Sequence, residues 1–210
     1  MAKQKERWGA YIKLNGPDAN RYPNSTFLDY EVRLGRAGQK LEKNEVFASS
    51  PAISKRVGEI NGKWKLDGKV FTGYIYLSIR AGEKIASIGS YHPVSKKSKI
   101  PEALRNSLRG LGFASRVELR VLKDLQKRFP GYLLRHPMGS TELRKAQFKK
   151  RGTELSGKPV PIQAEIQRIA DYLGEEGMRR REGEEGVKRL LAARRKIAEK
   201  RQVIGRRPRK

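Results

Sequence analysis

The stretch Arg109-Gly110-Leu111-Gly112-Phe113-Ala114-Ser115 constrains this chain more than any other. Two glycines let the backbone turn tightly with no Cβ in the way, so several N–H groups can point into one concavity. A helix is expected directly after it. The apolar residues Val117, Val121, Leu122, Leu125 and Phe129 recur at helical spacing along one face. A helix start adds unpaired N–H groups and the positive end of its dipole. Loop and helix together suit a phosphate or pyrophosphate. The alternative reading of the same residues is a turn with no ligand.

Pro130-Gly131 stops that helix, and residues 132–134 (Tyr132, Leu133, Leu134) read as a short buried strand. Ser140 or Thr141 is placed to cap a second helix running through Phe148 to Gly152. The pattern R-x-x-G-x-A over Arg109, Gly112 and Ala114 resembles the acyl-CoA pyrophosphate loop of the GNAT acyltransferase superfamily, written Q/R-x-x-G-x-G/A. The order loop, helix, strand, helix is also similar to that family, over about residues 56–152. The resemblance implies acetyl-CoA as cofactor, held by Arg109, Gly110, Leu111, Gly112, Phe113, Ala114 and Ser115. It also implies a tyrosine on the second helix that protonates the departing thiolate. Alignment on Gly152 puts Phe148 at that place, and phenylalanine has no proton to give.

With 210 residues the chain holds one ordinary domain plus an appendage. Its 48 Lys and Arg against 22 Asp and Glu leave a net +26, a field that favours polyanions: nucleic acid, an anionic membrane or an acidic protein surface. No cysteine is present, which excludes disulfides, thiolate metal sites and a cysteine nucleophile. The basic N-terminus leads into no apolar h-region, and no apolar run is long enough to span a bilayer. The expected location is the cytoplasm, or the interior of a virion or ribonucleoprotein particle.

Residues 8–60 read as short strands and irregular connections. Residues 8–14 alternate loosely and end at Asn15-Gly16-Pro17, a turn signal. Residues 27–34 alternate clearly, with Phe27, Asp29, Glu31 and Arg33 opposed to Leu28, Tyr30, Val32 and Leu34, as in a half-buried strand. Residues 35–44 read as a loop. The two helices that the resemblance places between the first two strands have no counterpart here. Residues 56–92 read as a meander, with hairpin turns at Asn61-Gly62 and Asp67-Gly68 and strands at 64–66, 70–79 and 85–91. A basic connection follows at 93–108, holding Lys96, Lys97 and Lys99 and a short helix from Pro101. It reads either as a solvated loop or as a contact for phosphates.

Residues 152–159 read as a linker. Pro161 opens a helix with Ile162, Ile166, Ile169, Ala170 and Leu173 on one stripe. Residues 174–186 are acidic and glycine-rich, as in a hinge. The tail from 177 to 210 carries 14 Lys and Arg against four Glu. Val187, Leu190, Leu191, Ile197 and Ala198 give it an apolar edge, so 185–201 is expected to be helical and 205–210 extended. Arg194, Arg195, Lys196, Arg206 and Arg207 are its candidate contacts for a polyanion.

Few residues are suited to carry chemistry. His92 and His136 each end an expected strand beside a proline, and with no acidic cluster nearby they make no case for a metal. Either, His92 or His136, is a candidate general base if both strand ends meet at the cleft, and a surface or packing residue otherwise. Tyr91 and Tyr132, also at strand ends, are candidates to replace the acid missing at Phe148, or else packed residues with wet hydroxyls. Glu118 on the pyrophosphate helix reads as a cap or solvated residue. Trp64 between Lys63 and Lys65 is a stacking platform or a core residue.

The expectation is therefore an α+β fold: a mixed, mostly antiparallel GNAT-like sheet with flanking helices and a basic helical C-terminal extension. Its expected segments are a domain at 1–152, a linker and packing helix at 153–176, and the tail at 177–210. Three functions fit these residues. One is a GNAT-like N-acyltransferase using acetyl-CoA on an amine, near nucleic acid or an acidic partner. Another is a scaffold of that fold without the chemistry, within a large nucleic-acid-containing assembly. The third is an RNA binder of unrelated fold.

Overall fold

A computed structural model describes residues 7–22, 25–64, 66–95, 98–136, 145, 148–149, 152–153, 157–176, 179, 183, 185 and 192. The chain divides into two compact units, Met1–Ile169 and Ala170–Lys210. The boundary expected at 152 lies within the first. In the second, residues 170–176 are helical; the tail contacts Arg194, Arg195, Lys196, Arg206 and Arg207 lie outside the described residues.

The first unit is α+β, and its described residues form seven strands in one mixed sheet of order β3-β1-β2-β4-β5-β6-β7. Its elements are β1 (Trp8–Tyr22), β2 (Ser25–Arg36), β3 (Glu45–Ser49), α1 (Pro51–Trp64), β4 (Val70–Arg80), β5 (Ile85–His92), α2 (Glu102–Gly110), α3 (Phe113–Arg128), β6 (Leu133–Arg135) and β7 (Val160–Pro161). A further helix, α4, covers residues 162–176 and crosses into the second unit. Neighbouring strands are antiparallel except β5 and β6.

The alternation expected over 27–34 is realised in β2: Leu28, Tyr30, Val32 and Leu34 are buried, and their neighbours are half-buried. Register carries that face across the sheet. Ala10, Ile12 and Leu14 of β1 lie opposite Leu34, Val32 and Tyr30, and Ile75 and Leu77 of β4 lie opposite Tyr30 and Leu28. All of them are buried. Helix α3 covers this face, burying Phe113, Val117, Val121, Leu122 and Leu125. Tyr30 Oη donates to Asp124 Oδ2 of α3 at 2.8 Å.

The N-terminal third departs from expectation. The chain does not turn at Asn15-Gly16-Pro17. Leu14 pairs with Tyr30 and Pro17 with Leu28, so β1 absorbs one extra residue as a bulge and continues. Gly16, at φ 106°, supplies the backbone conformation that the bulge needs.

Residues 51–64 form a helix, so Asn61-Gly62 makes no hairpin, and of the strand expected at 64–66 Trp64 is helical and Leu66 lies in a connection. Ile53, Val57, Ile60 and Asn61 are buried at helical spacing, a stripe that begins ahead of the residues 56–92 expected to form the meander. Ser50 Oγ accepts the Ile53 N–H at 3.2 Å as a start cap, and Asn61 Oδ1 accepts the Leu66 N–H at 2.6 Å beyond the far end. Tertiary burial outweighs the turn preference of Asn-Gly. Asp67-Gly68 then lies in the connection to β4, not in a hairpin.

The meander from 70 to 92 forms as expected, closed by a turn at 81–84. Gly73 is packed so closely that a Cβ there would stand 1.8 Å from the His92 carbonyl oxygen. Beyond β6, Gly152 (φ 70°) ends the helical residues around Phe148. The N–H of Thr153 bonds to the Phe148 carbonyl and that of Gly152 to the Lys149 carbonyl, a Schellman stop. Pro161 belongs to the two-residue strand β7, paired with β6, instead of opening the helix.

Candidate functional site

The glycine stretch is tighter than a loop. Arg109 and Gly110 end α2, Leu111 and Gly112 make the turn, and Phe113, Ala114 and Ser115 begin α3. Gly112 is left-handed at φ 71° and ψ 18°, and its carbonyl accepts the first helical bond, from Arg116 N–H at 3.0 Å. No side chain caps the start of α3. The N–H groups of its first turn have no partner four residues back within the helix. Phe113 and Ser115 are buried and anchor the turn from below, whereas Leu111, Gly112 and Ala114 are half-exposed. Glu118, expected to be solvated or capping, is buried one turn further along.

Strand β5 reaches this turn from beneath. Tyr91 Oη donates to the Ala114 carbonyl at 2.7 Å. Tyr76 pairs with Ser90 and Leu77 with Ile88, so Gly89 is an extra residue that bends β5. Pairing with β6 runs from Ile85↔Leu133 to Ser87↔Arg135, stopping short of that bulge. The arrangement is a parallel strand pair that stays together for three residues, with the start of α3 tied to the far end of β5.

Tyr132 stands elsewhere. It precedes β6 and is level with Lys84, whose carbonyl accepts the Leu133 N–H at 2.9 Å. At about 3.3 Å per residue, seven residues of strand put it roughly 20 Å from Tyr91. Tyr132 packs on Phe129 with ring centroids 5.3 Å apart. The two tyrosines therefore do not share a site.

The histidines also separate. His92 is exposed at the end of β5, edge-on to Tyr74 at 5.4 Å. His136 is 4% exposed, lies 4.9 Å from the Phe148 ring, and has no hydrogen bond at either nitrogen. Its Nε2 stands 3.7 Å from Oε1 of fully buried Glu165. That oxygen accepts from Thr153 Oγ1 at 2.8 Å, and Oε2 lies 3.3 Å from Arg168 Nη1. Sequence reasoning missed Glu165. The signal was a carboxylate on the apolar stripe of α4, between Ile162 and Ile166. Phe148 is buried at 1% exposure, so no hydroxyl and no open space occupy its position.

Lys99 is exposed, and its backbone N–H bonds to the Phe71 carbonyl at 3.1 Å. Lys96 and Lys97 lie outside the described residues, and Trp64 is the last residue of α1. A cleft of about 820 Å³ opens at the start of α1, lined by Arg7, Ser49, Ser50, Pro51, Ser54, Lys55 and Gly58. Its serine hydroxyls are engaged within the fold: Ser50 caps α1, and Ser49 and Ser54 bond the Trp8 backbone. Among the described residues there is no cluster of three His, Cys, Asp or Glu that could hold a metal, and no helix is long and apolar enough to cross a membrane. Comparison with protein-family models, with curated proteins and with solved structures finds no match to this chain.

Proposed function

We propose that the chain is a GNAT-like N-acyltransferase that holds acetyl-CoA at the turn before α3. One observation carries the reading: an uncapped helix start, opened by left-handed Gly112, stands over the end of β5 where its pairing with β6 has ceased. The amide groups of Phe113 and Ala114 supply backbone donors for a pyrophosphate. The acyl arm would run along the bent end of β5 beside Tyr91. Bound acetyl-CoA supplies an activated acyl group for attack by an amine. The protein contributes positioning and backbone polarity, which carry much of such a reaction without a strong acid. Tyr91, whose hydroxyl meets the helix start, is the tyrosine of this site; Tyr132 and Phe148 take no proton role in it.

The test is calorimetric titration with acetyl-CoA at low and moderate salt, because a +26 chain attracts any polyanion when screening is weak. Saturable one-to-one binding that survives moderate salt is expected. Gly112→Asp puts a carboxylate where phosphate would sit, and it should abolish that binding. Unchanged affinity in the variant overturns the assignment of the turn.

A second reading rests on Phe148: with that position filled by a buried ring, the same fold serves as a binding scaffold in a nucleic-acid-containing assembly. It is favoured if acetyl-CoA binds without acyl transfer to any amine.

A further inference from the structure

The sheet face opposite α3 carries a patch whose local charge runs against that of the chain. Directly paired residues on neighbouring strands share a face, which joins Asp29 to Tyr76, Glu31 to Tyr74 and Tyr74 to His92. Tyr74 and Tyr76 are tilted against each other with centroids 5.1 Å apart, and Tyr76 is 40% exposed. Glu31 is already matched by the Arg33 guanidinium. Among the described residues no cation is paired with Asp29. Its Oδ2 meets only the neutral Asn15 amide, at 3.5 Å, and its Oδ1 is buried without a hydrogen bond.

We infer that Asp29, with the ring faces of Tyr76 and Tyr74, forms a recognition site for an alkylammonium group. A half-buried carboxylate whose exposed Oδ2 meets a neutral amide at 3.5 Å is stabilised by a cation that donates a hydrogen bond to that oxygen. Aromatic faces beside it attract the same charge and accept its alkyl chain. Burial and the neighbouring Glu31 carboxylate hold the Asp29 pKa above the ordinary range, as expected of a charge with too little compensation. A polyanion is a poor occupant of the Asp29 carboxylate itself, despite the net charge of +26, because like charges repel. The inference rests on the acyltransferase reading only in naming this amine as the acceptor. His92 and Tyr91 are consecutive and point to opposite faces of β5, so the patch adjoins the end of the strand whose other face meets α3.

The experiment titrates the full chain with n-butylammonium chloride, without acetyl-CoA, and follows the ring proton signals of Tyr74, Tyr76 and His92 by NMR. Neutral n-butanol is the control. Saturable shifts are expected from the ammonium alone, with affinity on the order of 1 mM. Moderate salt should leave that affinity unchanged or strengthen it, by screening the repulsion from the rest of the chain. Asp29→Asn, which keeps the shape and removes the charge, should weaken binding by about tenfold or more, and Tyr76→Ala by severalfold. Equal shifts with n-butanol, or full affinity in both variants, overturn the site. Should Asp29→Asn not fold, Tyr76→Ala and the alcohol control decide. Ammonium binding in a chain that ignores acetyl-CoA sinks the acyltransferase reading and leaves the patch standing; the reverse result does the opposite.

Discussion

The hydroxyl of Tyr91 donates to the Ala114 carbonyl at 2.7 Å, joining the end of β5 to the first turn of α3 across 23 residues of chain. The bond holds the helix start against the end of the strand beneath it. Tyr91→Phe removes the donor and keeps the ring. Loss of about 1 kcal/mol in urea denaturation is expected, together with a severalfold weakening of acetyl-CoA binding by calorimetry. A stability loss with no change in binding would separate Tyr91 from the cofactor site.

Gly73 has no room for a side chain, since the obstacle is the His92 carbonyl and not a movable rotamer. Gly73→Ala must push back the end of β5. A cost of about 1–3 kcal/mol or more is expected from thermal or urea unfolding, with the largest amide shifts at His92 and Pro93's neighbours.

Glu45 is buried, and its compensating cation is Lys69, which also lies 4.4 Å over the Tyr11 ring. Lys69→Met keeps the stem and removes the charge, stranding the carboxylate. About 3–5 kcal/mol should be lost in chemical denaturation. The double variant with Glu45→Gln should recover much of that, because the neutral amide needs no ion partner.

Tyr30 gives the clearest pH dependence. Burial first, then the Asp124 carboxylate it bonds, push its pKa well above the ordinary tyrosine value. In the unfolded chain the proton leaves near pH 10, while the folded protein keeps it. The unfolded state then binds fewer protons, so stability falls as pH rises above about 10 and this contribution is lost by the folded pKa. Tyr30→Phe should lower stability by about 1 kcal/mol at neutral pH and flatten the alkaline decline. An ultraviolet tyrosinate titration should lose a late-titrating group. Asp124 keeps its 2.7 Å bond from Arg128 Nε, which limits the damage.

Much of the central sheet was legible in the residues. Alternation over 27–34 pointed to a half-buried strand, since a period of two leaves each face a single character, and the β-branched and aromatic residues of 70–79 pointed to another. The stripe from Val117 to Leu125 likewise forced α3, and Pro130-Gly131 its end. Local preference misled where a neighbour could override it. Asn61-Gly62 carries a hairpin preference worth little against burying Ile53, Val57 and Ile60, and Asn15-Gly16 became a bulge because β2 was long enough to keep β1 paired past it.

The candidate site divides along the same line. Its turn, its helix and the chain's charge follow from the sequence alone, because backbone freedom at Gly112, apolar spacing and net charge are local or additive properties. Which residues meet was decided by tertiary structure. Parallel pairing of β5 with β6 sets Tyr91 and Tyr132 at opposite ends, burial of Phe148 packs it against His136 beside Glu165, and strand register brings Asp29 beside Tyr76. Register and packing depend on contacts between residues far apart in the chain, and no short window of sequence contains them.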